Sequence, residues 1–287
     1  YSMISFQCAW LLNYYPSEWM AAFLDKTGDK DKEKAINIAK SFGFEIKSID
    51  VNTSTDKWEI SEDGKTLIQP MTSIKGLGDS AFNEIQNYRP FKTVEEFLFH
   101  PYMSYSKVNK KALDVLCRVG ALDSLIDERF SGLKHFWSVI AVDRPRNEKK
   151  FLQNIDKYRP EGDFTEPEKI SFLTDLTGMF PINRIISTDL IQKLDEKGIR
   201  PLGEYDPELQ FTWFIPRNIE IKKTKTGKTY WIVDVIDSTN INNKIRCWSI
   251  RENEVLDINR PYIAKLDYDE QWGFSTRSIT KNFRLIG

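Results

Sequence analysis

The chain has 287 residues, 40% of them hydrophobic and 29% charged, with a formal net charge of −1. That composition supports packed cores and excludes a disordered chain, and the length suits two ordinary domains or one large one. The balanced charge argues against a protein that coats nucleic acid by charge alone, while leaving room for local basic patches.

Residues 1–24 follow a helical spacing that Pro16 interrupts, with Ser17 placed to cap the next helix. The opening Tyr1-Ser2-Met3-Ile4-Ser5-Phe6 has no basic segment or cleavage site of a secretory leader, and no apolar run reaches the length of a membrane span, so a cytoplasmic location is expected. The first residue is not Met, which reads as a processed or partial chain. Asp29 to Phe42 is amphipathic, with Ala35, Ile36, Ile38, Ala39 and Phe42 inward and Gly43 as the stop.

Residues 44–70 alternate as short strands (Glu45 to Val51, Trp58 to Ile60), with Asp63-Gly64 as a hairpin turn before Leu67. Ile74-Lys75-Gly76-Leu77-Gly78-Asp79-Ser80-Ala81 then reads as a tight glycine turn opening into a helix, with Ala81 and Ile85 on its inner face and Arg89 beyond. Such a turn presents backbone N–H groups at a helix start and suits phosphate. Glycine at 76 and 78 permits positive φ and leaves space for a close approach. Thr93 starts a helix with capping-box spacing, and Val108 to Leu116 forms another that ends at Gly120. Residues 141–168, rich in Arg, Lys, Pro and Glu, read as an exposed linker or a loosely packed connector, with the basic run Arg144 to Lys150 as a solvated stretch or a DNA contact.

From Phe211 the period becomes two. Trp213 to Lys223, Thr229 to Asp237, Lys244 to Ile250, Arg260 to Asp269 and Trp272 to Ile279 give five strands, which fits a small barrel of the OB type. Lys222 to Lys228 is a basic turn between the first two strands, where such barrels flank an oligonucleotide groove, and Tyr230, Trp231 and Trp248 are candidates to stack bases or to fill the core.

Catalytic patterns are missing from this reading. The chain shows no Walker-type loop, no Ser-His-Asp set and no paired carboxylates for two-metal phosphoryl transfer; Asp234 and Asp237 read as turn and edge residues. His100 and His135 lack ligand neighbours at helical spacing, so no zinc site is expected, and Cys8, Cys117 and Cys247 read as buried free thiols of a reducing compartment.

The order of these segments resembles the C-terminal part of C-family replicative DNA polymerases, the family of the bacterial polymerase III alpha subunit. Tyr1 to Leu11 with Tyr15-Pro16-Ser17-Glu18-Trp19-Met20-Ala21-Ala22 is similar to the end of its fingers region. Asp50-Val51-Asn52-Thr53-Ser54, Ile74-Lys75-Gly76-Leu77-Gly78, Val108 to Leu113 with Gly120-Ala121-Leu122-Asp123, and Lys225-Thr226-Gly227-Lys228 with Ile232 to Asp237 resemble later family motifs in the same order. The resemblance implies an α+β multidomain fold: the end of the fingers with a small β insertion (1–72), a tandem helix-hairpin-helix region (73–140), a connector (141–208) and an OB domain (209–287). It implies that Lys75, Gly76, Leu77, Gly78 and Ser80, supported by Lys110 and Lys111, contact duplex phosphates. Lys222, Lys223, Lys225, Lys228 and Trp231 are expected to face single-stranded template. The catalytic aspartates and their Mg²⁺ belong to a palm domain absent here, so this chain is expected to be inactive alone and to work with a catalytic polymerase part, on the same or a separate chain. Some relatives are encoded in two pieces, so a split or phage-type polymerase fits. A sliding clamp enters as a partner through the same resemblance, although Gln153-Asn154-Ile155-Asp156-Lys157 departs from the clamp motif of many relatives, as Cys8 and Phe180-Pro181 depart from other family positions. A stand-alone DNA-binding accessory protein, an RNA-binding OB module, and a clamp-loader or protein-interaction scaffold that uses the OB barrel for protein contacts remain alternatives.

Overall fold

The computed structural model describes residues 2–28, 31–209, 211–239, 241–248, 250 and 254–286. Tyr1 of the first motif, Asp29 at the expected helix start and Ser249 in the expected third strand lie outside the described residues. The chain divides into two compact units, Tyr1–Phe180 and Pro181–Gly287.

In the first unit, α1 (Ser2–Tyr14) is followed by α2 (Pro16–Lys26), with Pro16 at the first helical turn, where its missing N–H costs nothing. Ser17 does not cap α2; its hydroxyl donates to the Gly64 carbonyl at 2.6 Å. α3 (Lys32–Ser41) buries Ala35, Ile36 and Ala39. β1 (Glu45–Lys47), β2 (Glu59–Ile60) and β3 (Thr66–Ile68) form the expected small sheet in the order β1-β3-β2, with β2 and β3 antiparallel across the Asp63-Gly64 turn. The first strand is shorter than expected and pairs parallel to β3.

Six helices follow: α4 (Asp79–Tyr88), α5 (Val94–Phe99), α6 (Lys110–Arg118), α7 (Leu133–Trp137), α8 (Glu148–Lys157) and α9 (Glu166–Thr177). One hydrophobic core runs from Met20 to Met179 through Leu67, Ile85, Phe97, Leu113, Phe136 and Phe151. One core spans the expected boundaries at 72/73 and 140/141, and the second unit, from Pro181, takes in the end of the expected connector together with the expected OB segment.

Residues 141–168 are corrected from exposed linker or loosely packed connector to folded structure. Asn147 caps α8 by accepting from the Lys150 amide, and α8 turns Phe151 and Ile155 into the core. Asn154, also buried, donates to the carbonyls of Val139 at 3.2 Å and Asp143 at 2.6 Å, satisfying the wide helical turn at Ser138–Val142. Arg144 of the basic run is buried, with its guanidinium over the Tyr105 ring at 3.5 Å and Nη1 donating to the Tyr105 carbonyl.

His135 is a satisfied core histidine: Nδ1 accepts from the Ser131 amide at 3.1 Å, which leaves Nε2 to donate to the Ile155 carbonyl at 2.7 Å. Cys117 and Cys247 are buried free thiols, and burial pushes Cys247 up to about 12, whereas Cys8 is exposed, contrary to expectation.

The second unit has α10 (Ile182–Ile185), α11 (Thr188–Glu196), β4 (Arg200–Pro201), β5 (Thr212–Lys223), β6 (Thr229–Ile236), β7 (Asn243–Cys247), β8 (Tyr262–Ala264), β9 (Asp267–Asp269), β10 (Gly273–Thr276), α12 (Ile279–Asn282) and β11 (Phe283–Leu285). The strand path is β11-β8-β5-β6-β7-β10-β9, with β4 beside β5. Four of the five expected strands are present as single strands. The fourth is broken at Lys265-Leu266: its first half, β8, pairs with β5 and its second half, β9, with β10. β7 and β10 run parallel. A segment only two residues from end to end of its break thus links both flanks of the sheet, which curls as in an OB-like barrel around Phe214, Val233, Val235, Ile245, Cys247 and Tyr262. β5 serves both flanks because a bulge between Pro216 and Asn218 bends it. Asp237 is buried in the turn after β6. It accepts from the amides of Gly203 and Thr239, both at 2.8 Å, and from the Thr239 hydroxyl, while burial pushes its carboxyl up.

Candidate nucleic-acid interface

The glycine turn is a backbone device. The Leu77 amide donates to the Ile74 carbonyl at 3.2 Å, and Gly76 at the third position has φ +91°, the geometry that a type II turn reserves for glycine. A Cβ at Gly76 would meet Lys111 Cε at 3.4 Å and Val115 Cγ1 at 3.6 Å, so the space it spares is taken by α6. Gly78 is different. It is the N-cap of α4 at φ −83°, where any residue fits, and a Cβ there would meet nothing within 4 Å. Positive φ therefore explains Gly76 alone, and Gly78 leaves open space in front of the helix start.

Core packing fixes this turn from behind. Ile74, Ala81, Phe82 and Ile85 are buried, and the Lys75 amide donates to the Leu176 carbonyl of α9 at 2.8 Å. Gly78, Asp79 and Ser80 are exposed, and the amides of Asp79 and Ser80 lie in the first turn, where a helix offers no acceptor. Lys75 is exposed beside them, and Lys111 reaches the turn from α6, its Nζ 4.0 Å from the Cβ position of Gly76. The arrangement can bind an anion by oriented amides plus two ammonium groups. Asp79, in the same first turn, stabilises the helix end and opposes an anion there.

Lys110 is turned elsewhere, with Nζ donating to the Val142 carbonyl at 2.9 Å. The second hairpin follows α6 at Gly120, φ +77°, where a Cβ would sit 2.8 Å from Asp123 Oδ2. Its Ala121 carbonyl accepts from the Val51 amide at 2.8 Å, so this turn also ties the β insertion to the helices.

In the second unit Lys222, Lys223, Lys225 and Lys228 are all exposed around a turn closed by Thr224, whose amide donates to the Lys228 carbonyl at 2.9 Å. Lys222 pairs with Glu220 at 3.0 Å, which raises its pKa. Trp231 is half-buried and packs on the barrel core, on the same face of β6 as the buried Val233 and Val235. Its neighbour takes the outer face: Tyr230 is paired with Lys222 and stacks on Trp248, ring centroids 4.8 Å apart and planes 27° apart. The next row on that face is Glu220, Ile232 and Arg246. The parity of β6 was readable from sequence; which parity faces the core was not.

Among the described residues no group of three His, Cys, Asp or Glu side chains is arranged to hold a metal ion, and no helix is long and apolar enough to cross a membrane.

The helix-hairpin-helix motif family matches residues 43–131, a stretch that contains both glycine turns. The chain is 24% identical over 309 aligned positions to DNA polymerase III subunit alpha of Helicobacter pylori and 25% identical over 285 to that of Aquifex aeolicus, in each case across 94% of its length. The chain is thus similar to a part of DNA polymerase III subunit alpha over nearly its whole length. A shorter alignment to the Pseudomonas aeruginosa subunit reaches 30% identity over 152 residues, half of this chain. The chain spans 25%, 23% and 12% of these three relatives, a quarter of their length or less.

Proposed function

We propose that the chain positions DNA for template-directed nucleotidyl transfer by a palm domain that lies outside it. The Gly76–Gly78 turn holds a duplex phosphate on the amides of Asp79 and Ser80, with Lys75 and Lys111 completing the site. Leu77 serves as a core anchor for the turn, half-buried against the first unit's core. The Lys222–Lys228 turn and the Tyr230–Trp248 stack face the single-stranded template. Mg²⁺ and the incoming nucleotide bind the palm. α1 supports a partner polypeptide: it carries no charged residue and none of its residues is buried, and Met3, Ile4, Phe6, Trp10 and Tyr14 are exposed.

The observation that carries this reading is a glycine turn held rigidly by the core in front of an exposed helix start, within a matched helix-hairpin-helix segment. Amide NMR with a short DNA duplex tests it. Binding should shift the amides of Gly76, Gly78, Asp79 and Ser80 first. Shifts confined to the second unit, or equal response to an RNA duplex, would overturn it.

A further inference from the structure

The second unit carries a cavity of about 370 Å³ that the DNA-positioning reading does not use. It is lined by Leu202, Tyr205, Ile241, Asn243, Tyr268 and Phe274. Three of these are aromatic and mutually packed: Tyr205 lies 5.0 Å from Phe274 and 5.9 Å from Tyr268, and Tyr268 lies 5.0 Å from Phe274, centroid to centroid. Phe274 pairs with the core residue Ile245 across β7 and β10, so the aromatic wall continues the barrel interior outward.

The two segments that supply the tyrosines are acidic: 202–209 and 266–270 contain Glu204, Asp206, Glu208, Asp267, Asp269 and Glu270 and neither Lys nor Arg. Glu204 is paired with Arg200 at 3.7 Å; among the described residues the other five carboxylates have no ion-pair partner. Asp267 and Asp206 act on the Tyr205 hydroxyl, whose pKa is raised by burial and by these two charges. The field repels a phosphate backbone, and the ring faces attract cations.

We propose that this aromatic, acid-rimmed cavity is a docking site for a cationic side chain, arginine or lysine, presented by a protein partner. The rings supply cation–π contact and the apolar walls take the aliphatic stem, as long basic side chains require. Asn243 at the edge can accept from the incoming head group. The site is separate in sign from the outer face of β5 to β7, where Lys222 and Arg246 lie beside Tyr230 and Trp248. One small barrel thus offers a basic aromatic face and an acidic aromatic pocket.

The test uses the whole chain and two small probes, acetyl-arginine N-methylamide and its norleucine counterpart, followed through the ring resonances of Tyr268 and Phe274. The arginine probe should shift both rings and bind about tenfold more tightly than norleucine, with the preference lost at high salt. Asp206→Asn with Asp267→Asn should abolish the preference while leaving norleucine binding in place. Tyr268→Leu, which removes the ring at an exposed position, should weaken the arginine probe and spare the fold. Equal binding of the two probes would overturn the proposal in favour of a plain apolar groove. Displacement of the arginine probe by oligodeoxythymidylate would overturn it in favour of a nucleic-acid surface, and unshifted rings at saturating probe would remove the site altogether.

Discussion

The glycine turn of the first unit and the lysine turn of the second, both proposed above to meet DNA, are built on opposite plans. The first has two ammonium groups and depends on backbone donors whose direction is set by buried Ile74, Ala81 and Ile85 and by the bond from Lys75 to Leu176. The second has four exposed lysines on a ribbon that extends past the barrel core, where Ile221 is exposed and Trp231 is the last residue packed inward. A site made of oriented amides is only as good as the packing behind it. A site made of displayed charge tolerates weak packing and answers to salt. Substitutions should therefore act in different currencies at the two places.

The largest effect should come from the core behind the glycine turn. Ile85→Ala removes a fully buried side chain and should destabilise the first unit by about 2–5 kcal/mol, read by chemical denaturation. Duplex affinity should fall with it. Equal stability would show that the turn is not supported as described. Gly76→Val should come next, at a cost of about 1–2 kcal/mol from the left-handed backbone with added crowding against Lys111 and Val115. Gly78→Ala sharpens the contrast, because its φ is ordinary and its Cβ meets nothing: stability should change by no more than about 1 kcal/mol while duplex binding weakens.

Lys40 gives a pH signature confined to the first unit. Burial lowers its pKa from 10.5 to about 8, and its Nζ donates to the Phe180 carbonyl at 3.1 Å. Between these values the unfolded chain holds more protons than the folded one, so this group makes stability rise with pH from about 8 toward 10.5. Lys40→Met should flatten that rise in denaturation curves taken across the window; an unchanged slope would contradict the assignment. The smallest effect belongs to the lysine turn. Lys225→Ala with Lys228→Ala should leave the melting temperature unchanged and reduce the salt slope of single-strand binding by about 0.7 for each lost phosphate contact.

The same contrast explains what could be read from the sequence. The glycine turn was legible because its conformation restricts residue choice at Gly76 and because Ala81 and Ile85 mark an inner helix face. The strands were legible from alternation. The break at Lys265-Leu266 was not, since it follows from closing the sheet rather than from local preference. Residues 141–168 misled because two apolar side chains, Phe151 and Ile155, and one buried amide, Asn154, anchor a stretch otherwise rich in charge. At Trp231 the sequence left both roles open, because alternation fixes which residues share a face and leaves open which face meets the core. Of the two reasons offered for glycine at 78, positive φ and room for a close approach, the structure leaves only the second, since its φ is −83° and a Cβ would meet nothing.

The central claim is that duplex is held by backbone amides at the glycine turn and single strand by charge at the lysine turn. It is tested most directly by measuring fluorescence anisotropy of a primer–template duplex and of a single strand against Gly78→Leu and the Lys225→Ala, Lys228→Ala pair. The account predicts a crossed result: Gly78→Leu weakens duplex binding and leaves single-strand binding unchanged, and the lysine pair does the reverse. Unchanged duplex affinity in a folded Gly78→Leu chain would contradict it.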